Sequence, residues 1–432
     1  MLPTGRVAPW YVAYLILGLL TSGMLPFLLP LMIGASAGQL GTVAYVTGAY
    51  NLGLLAAPLF GKLAEQQRLF RPVFFGGFVL LGLAFAAFPL VTGLAAWFLL
   101  ALLIGLATGA AATVATLFIV DFTAKSEWEP RIGWLQSFNG AGQLVGLLLA
   151  GAFAHGRFVV GFMIGAGLAL VAVLVGGVGL PIDRHGRAKR NPLQDVPMQQ
   201  LLGATQLGPS FGGLLHHSHH LQWPAVLGLP QALGGPFGRF LLAWAAYNFG
   251  VAAFFAYYPL IMRQTFGVPT TVTALTYAAA AGLGIFLFIA AGRLAIRFGA
   301  RAVFQAGLVL RLVGFLLLAM PFGLPVPGAS VVALAGFFLA MLAWPVLSVS
   351  GTALAARLTP IGEGPAIGLL NASGALATVV GTFASGPLVH ALGFGVVAPL
   401  AIAGLAAAGL LMLWDSRQPQ PIDEAVSEGR SA

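Results

Sequence analysis

Several helical-length apolar runs carry amide and aromatic side chains at spacings that bring them onto one face. Gln136, Asn139 and Gln143 are spaced three and four apart, so they form a single stripe. Tyr50 and Asn51 follow Thr47; Trp244 is followed by Tyr247 and Asn248; Trp344 precedes Ser348; Asn371 precedes Thr378 and Thr382. These groups donate and accept hydrogen bonds without carrying charge. An isolated one is usually interhelical glue, worth about 0.6 kcal/mol. Stripes on several helices instead suit the lining of a cavity for an uncharged or amphipathic organic solute.

Other chemistries lack their residues. No Ser/His/Asp or paired-carboxylate arrangement is visible, so the chain is not read as an enzyme. The absence of G-x-x-x-x-G-K-[ST] leaves ATP drive within the chain unsupported. None of the eleven acidic residues lies deep in an apolar run, and proton relays normally use intramembrane carboxylates or histidines. His155 and His390 fall near the ends of runs. The "HHSHH" at His216–His220 has no Cys, Asp or Glu within twenty residues and reads as a polar loop. No metal site and no cofactor are expected. Arg311 is the one charge in mid-run, and an intramembrane ionisable residue is a functional hypothesis by default.

The elements holding these residues are set by composition. Of 432 residues, 59% are hydrophobic and 7% charged, against about 25% charged in soluble domains. Water cannot cover such a surface. No charge occurs between Val7 and Gly61 or between Pro72 and Val120, runs well beyond the roughly 20 residues that cross a bilayer. Twelve spans follow, near 10–33, 42–60, 72–90, 94–119, 132–153, 158–180, 239–262, 271–291, 302–320, 328–352, 365–388 and 393–414. If the N-terminus is cytoplasmic, seventeen Lys and Arg fall on that side; only Arg157 and Arg263 fall on the other, with Arg311 inside a span. That asymmetry places both termini in the cytoplasm. It also explains the net charge of +9 topologically: the partner is a lipid bilayer, not nucleic acid. There are no cysteines, hence no disulfides. The first apolar run is long and lacks a small-residue cleavage site, so it does not read as a removed signal.

Three phrases occur twice at offsets near 230 residues. "GKLAEQQRLFR" from Gly61 returns as "GRLAIRFGAR" from Gly292; "PLMI" from Pro30 returns as "PLIM" from Pro259; "IGWLQSFNGAGQLVG" from Ile132 returns as "IGLLNASGALATVVG" from Ile367. Six spans have therefore been duplicated. The repeated polar phrase falls between spans 2 and 3 and between spans 8 and 9.

With these features the chain resembles the major facilitator superfamily (MFS) of secondary transporters over about its whole length. The family signature in the loop after span 2 is roughly G-x-L-A-D-R-x-G-R-R. Here Gly61, Leu63 and Ala64 match, Glu65 stands for the Asp, and Arg68 and Arg71 are displaced. The second copy has Gly292, Leu294, Ala295, Arg297, Gly299 and Arg301, with Ile296 at the acidic position. The resemblance implies two six-helix bundles around a central cavity that opens alternately to each side, with spans 1, 2, 4, 5, 7, 8, 10 and 11 facing it. Span 9 would lie outside, which favours a structural role for Arg311, by pairing with backbone carbonyls or snorkelling; if its side chain reached the cavity, an anionic substrate would become attractive. It further implies a cytoplasmic latch of Glu65, Arg68, Arg71, Asp121 and Arg131, with Arg297 and Arg301 in the second copy. A span-5 phrase of exporting exchangers, G-x8-G-x3-G-P-x2-G-G, is matched by Gly133, Gly142, Gly146, Ala150 and Gly151, with Leu147 at the proline. The span-4 Arg of many proton-coupled exporters is replaced by Gly105.

The expected fold is an all-α polytopic membrane protein: twelve transmembrane helices in two pseudo-symmetric six-helix bundles. Residues 1–180 form the first bundle, 181–238 a cytoplasmic linker, 239–414 the second bundle and 415–432 a cytoplasmic tail. The expected function is alternating-access transport of a small organic solute, in the direction of export, by a monomer in the cell (inner) membrane. Its substrate residues are Tyr50, Asn51, Gln136, Asn139, Gln143, Trp244, Tyr247, Asn248, Trp344 and Asn371. An importer or facilitator of a neutral metabolite, and a non-transporting scaffold or sensor, are the alternatives.

Overall fold

The computed structural model describes residues 9–37, 40–122, 128–154, 156–179, 235–323, 328–359 and 363–416. The linker and tail expected from the sequence, and the His216–His220 cluster, lie outside the described residues. The rest is helical. Helix α1 runs from Tyr11–Leu17 through a π-helical stretch, Gly18–Met24, into Leu25–Ala37. Next come α2 (Leu40–Leu54), prolonged by a short helix Ala57–Gln66, α3 (Phe70–Ala87), α4 (Leu94–Phe122), α5 (Trp128–Phe153) and α6 (Phe158–Gly179). The second set is α7 (Pro236–Leu260, followed by a π-helical turn Ile261–Thr265), α8 (Thr270–Phe298), α9 (Ala300–Gly323), α10 (Ala329–Leu358), α11 (Glu363–Leu392) and α12 (Val397–Ser416).

Eleven of these twelve are long and apolar enough to cross a membrane; α5 falls short. Its three amides, Gln136, Asn139 and Gln143, lower its hydropathy, so the helix with the longest polar stripe is the weakest span by composition. Large apolar side chains such as Leu83, Leu174, Phe286 and Leu410 lie well exposed on the outside. Water would penalise such a surface and lipid tails would not.

The packing carries the duplication into three dimensions. In the first half α1 packs on α5 and α6, α2 on α4, and α3 on α4 and α6. In the second half α7 packs on α11 and α12, α8 on α10, and α9 on α10 and α12. Each pairing reappears six helices later. The two main contacts between halves, α2 with α11 and α5 with α8, exchange under the same shift. The structure is thus two pseudo-symmetric six-helix bundles.

Backbone proximity holds the bundles together. A Cβ at Gly142 would lie 1.9 Å from the carbonyl oxygen of Leu15, and one at Gly146 would lie 2.1 Å from that of Leu19. Only a hydrogen can occupy those positions, so α1 and α5 meet along their main chains. Without a hydrophobic drive between helices in lipid, this close approach supplies the association. Gly105 shows the same constraint: its Cβ would be 2.1 Å from the Tyr50 carbonyl oxygen. The arginine that many exporters carry there has no room while α2 and α4 are this close.

Candidate functional site

A central cavity lies between the halves. Leu25, Pro26, Leu29 and Pro30 of α1 and Thr47, Tyr50 and Asn51 of α2 form one wall. Facing them are Tyr247, Asn248, Val251, Ala252, Phe255 and Ala256 of α7, with Tyr277 and Gly284 of α8, Met341, Trp344 and Pro345 of α10, and Thr378 of α11. It is not filled by side chains: its cavity volume, counted as space for the centres of water-sized spheres, is about 80 Å³. The prolines of α1 leave carbonyls at this level without their usual intrahelical donor.

One end of the cavity is roofed by contacts between the halves. Glycines meet at Gly41 and Gly386, where each added Cβ would lie 3.3–3.4 Å from the other's carbonyl oxygen. The Phe383 ring covers Gly48, 2.9 Å from its added Cβ, and its centroid is 6.3 Å from that of Tyr45. Phe27 meets Tyr258 edge-on at 5.9 Å, Leu260 covers Gly34, and Gly151 of α5 meets Ala274 of α8. These contacts lie toward the helix ends near 36–40, 265–270 and 392. The basic residues Arg68, Arg71, Arg131, Arg297, Arg301 and Arg357 lie at the opposite end.

Polar groups in the cavity are partly committed. The Asn248 amide nitrogen donates to the Trp244 carbonyl at 2.8 Å, leaving its side-chain oxygen as the group it can offer. Thr378 bonds back to the Gly374 carbonyl at 2.9 Å. The Thr47 hydroxyl is buried without a hydrogen-bond partner. Trp344 stacks at a tilt on Trp244, centroids 6.4 Å apart.

Arg311 departs from the sequence expectation. Helix α9 packs on α10 and α12, as an outer helix should, yet the Arg311 side chain reaches inward and lines the cavity. It is 1% exposed. Its Nη1 donates to the Tyr247 hydroxyl, and its guanidinium lies 5.2 Å from the Tyr247 ring and 5.3 Å from the Phe255 ring. Its Nε has no partner. The expected position of the side chain outside the cavity is therefore corrected: it is long enough to carry charge from an outer helix to the centre. Its mark in the sequence is a lone charge in mid-span; the position of its helix does not disclose how far the side chain reaches.

Of the expected substrate residues, Tyr50, Asn51, Tyr247, Asn248 and Trp344 line the cavity. Gln136, Asn139, Gln143, Trp244 and Asn371 are not among its lining residues. Gln136 lies beside Tyr14. Asn139 and Gln143 are buried where α5 meets α1, their backbones against Gly18 and Gly23. Trp244 backs the wall against Phe304. Asn371 is buried, its amide nitrogen without a partner. Pro26, Val251, Phe255 and Tyr277 line the cavity without having been expected; nothing polar in their pattern singles out most of them.

The expected latch residues gather at the basic end. Glu65 sits on Ala57–Gln66 and Asp121 in the last turn of α4, with their side chains outside the described residues. Arg68 has a positive φ of 55° at the turn into α3. Arg71 lies over the Phe75 ring and Arg131 beside Tyr11. Arg297 lies over Phe298, and Arg301 donates to the Met412 carbonyl at 2.7 Å, tying α9 to the end of α12. Among the described residues no group of three or more His, Cys, Asp or Glu could hold a metal ion.

A sequence profile described as Major Facilitator Superfamily matches residues 10–297. No curated protein matches the chain. Among solved structures, a nucleoside transporter, NupG, is similar with a TM-score of 0.71 at 14% identity, covering 94% of this chain and 97% of that one. A bacterial homologue of the human lysosomal transporter Spinster, in an inward-facing and occupied conformation, gives a TM-score of 0.68 at 12% identity, covering 95% and 97%. At such identities the likeness concerns the fold.

Proposed function

The chain belongs to the Major Facilitator Superfamily, and on that premise we propose that it is a secondary active transporter exporting a small organic solute by alternating access. The observation that carries this is the cavity: both halves line it, and contacts between the halves roof it at one end. A site shared by two pseudo-symmetric bundles changes its exposure when the bundles rock. The asymmetry of Lys and Arg puts the basic end in the cytoplasm. The roof is then extracellular, and the state described is closed outward.

In this reading Tyr50, Asn51, Tyr247, Asn248 and Trp344 contact the solute. Asn139, Gln143 and Trp244 support the site from within their own bundles, and Gln136 and Asn371 come into play as the bundles move. Glu65, Asp121 and the basic-end arginines close the cytoplasmic side in the opposite state. Export is supported by the α5 glycine phrase. The protein acts as a monomer in the cell (inner) membrane with both termini inside.

The absence of native cysteines gives a test that does not require the solute to be known. Thr378→Cys in proteoliposomes of known orientation is offered a membrane-impermeant maleimide from either face. Alternating access exposes the cavity to each face in turn, so labelling from both is expected. Protection from the outer face throughout, with labelling only from the inner one, would sink the proposal.

A further inference from the structure

Among the described residues no carboxylate neutralises the positive charge that Arg311 brings to the site; the groups that act on it there are Tyr247 and Tyr277. In the sequence none of the eleven acidic residues falls at the middle of an apolar run. What Arg311 does have is a hydrogen bond to the neutral Tyr247 hydroxyl, the neighbouring Tyr277, and two aromatic faces. Those interactions favour a cation but leave its charge uncompensated. Burying a charge is costly unless it is paired. The cost is unneeded for packing, since an apolar side chain could fill the same space. The side chain nevertheless lines the cavity shared by the two halves.

We infer that the transported solute is an organic monoanion whose negative group pairs with Arg311. This rests on the transport reading above and narrows its substrate class. The charge count sets the valence, because among the described residues one cation lines the cavity and a second negative group would be buried unpaired. The remaining walls set the body of the solute. Leu25, Leu29, Pro26, Val251, Phe255 and Met341 are apolar, so the anionic group is attached to an apolar or aromatic frame. A carboxylate is the group best matched to a guanidinium, whose planar fork can give two parallel hydrogen bonds. Tyr247 holds Nη1, and Nε–H is without a partner. Tyr247 thereby acts as a positioning residue, fixing the guanidinium. Small polar amides alone, as read from the sequence, would favour a neutral solute; Arg311 overrides them because charge outweighs a neutral hydrogen bond in a poorly solvated site.

The test compares acids with uncharged counterparts of the same shape. The purified full chain in detergent is titrated with benzoate, phenylacetate and indole-3-acetate and with the three corresponding amides, following thermal stability, which rises when a ligand binds only the folded state. At least one acid is expected to stabilise the wild type, and its amide to bind at least tenfold more weakly. Arg311→Gln should weaken that acid at least tenfold, and Arg311→Lys should retain part of the affinity, since it keeps the charge and loses the fork. Equal binding of acid and amide, undiminished acid binding by Arg311→Gln, or no response of the wild type to any acid would each overturn the inference. If Arg311→Gln does not fold, the acid–amide contrast in the wild type and the acid affinity of Tyr247→Phe, expected to fall severalfold, decide instead. The Thr378→Cys labelling is scored separately. Two-sided labelling with no acid preference would retain the transporter and reject the anion; one-sided labelling would reject the transporter itself.

Discussion

Arg311 of α9 donates a hydrogen bond to the hydroxyl of Tyr247 on α7, joining an outer helix to one that walls the central cavity. The bond also defines what α9 contributes. By packing it is a peripheral helix, against α10 and α12; by its one long side chain it takes part in the site. In lipid that arrangement carries a desolvation penalty, and a neutral hydroxyl compensates only part of it.

This relationship predicts an inversion of the usual order of mutational damage. Arg311→Met removes a buried charge and fills its space with a side chain of compatible shape. Replacing buried charges by apolar groups is often neutral or stabilising, by about 1–4 kcal/mol. Tyr247→Phe, by contrast, leaves the guanidinium without the hydrogen bond from Nη1 and should cost about 1.5–3 kcal/mol. In the Arg311→Met background the same Tyr247→Phe change should cost far less. Thermal unfolding of the four proteins in one detergent measures the cycle. A fall of several degrees for Arg311→Met alone would mean that the arginine serves the fold.

A second prediction concerns the seam between α1 and α5. An alanine at Gly142 or Gly146 puts a methyl 1.9 or 2.1 Å from a backbone oxygen, which cannot rotate away. Helix separation is then required, at about 1–3 kcal/mol by analogy with overpacked cores. Gly140, on the same helix, has nothing within 4 Å of its added Cβ. Gly140→Ala should be neutral or stabilising by up to about 1 kcal/mol, from helix propensity alone. Melting temperatures of the three single mutants test this, and similar losses at all three positions would refute a packing role for the spacing.

The contrast between these residues shows what a sequence can disclose. The spans, their duplication and the glycine spacing are written in composition and period, which the bilayer enforces along the chain. Gly142 and Gly146 are visible because close helix approach demands small residues at a fixed spacing. Tyr50 and Asn248 are visible because polar side chains are rare in apolar helices. Gln136, Asn139 and Gln143 form as clear a stripe, yet a stripe marks a protected face without telling a cavity from a helix seam. Asn139 and Gln143 are buried against α1. Arg311 could be flagged as unusual, but its reach across the bundle depends on a side-chain path that helix assignment does not contain. Phe255 and Met341 carry no signal, being apolar among apolar neighbours.

The roof supplies a third prediction. Gly41 of α2 and Gly386 of α11 approach closely enough for each added Cβ to lie 3.3–3.4 Å from the other's carbonyl oxygen. Gly41→Cys with Gly386→Cys should therefore form a disulfide under mild oxidation, since such bonds require closely spaced Cβ atoms. The bridge would hold the outer side shut. Outer-face labelling of Thr378→Cys, carried in the same chain, should fall at least tenfold and return on reduction. Gel mobility reports the bridge and maleimide uptake reports access. A formed bridge that leaves outer access unchanged would show that the roof does not move in the cycle.

The last prediction tests the opposite end. Glu65 lies on the helix Ala57–Gln66, and α11 begins at Glu363. In the latch reading its carboxylate stabilises the state closed to the cytoplasm, by charge at the start of α11 and by pairing with Arg131. A negative charge at a helix N-terminus contributes about 0.3–1 kcal/mol, equivalent to a roughly twofold to fivefold change in population. Glu65→Gln removes that charge at nearly constant shape. The equilibrium should move toward the outward-closed state, lowering the rate of outer-face labelling of Thr378→Cys by about that factor and raising inner-face labelling. The effect should shrink in high salt, as interactions between exposed charges do. Equal labelling of the parent and Glu65→Gln from both faces at low salt would remove Glu65 from the gate and leave the basic end as a determinant of orientation alone.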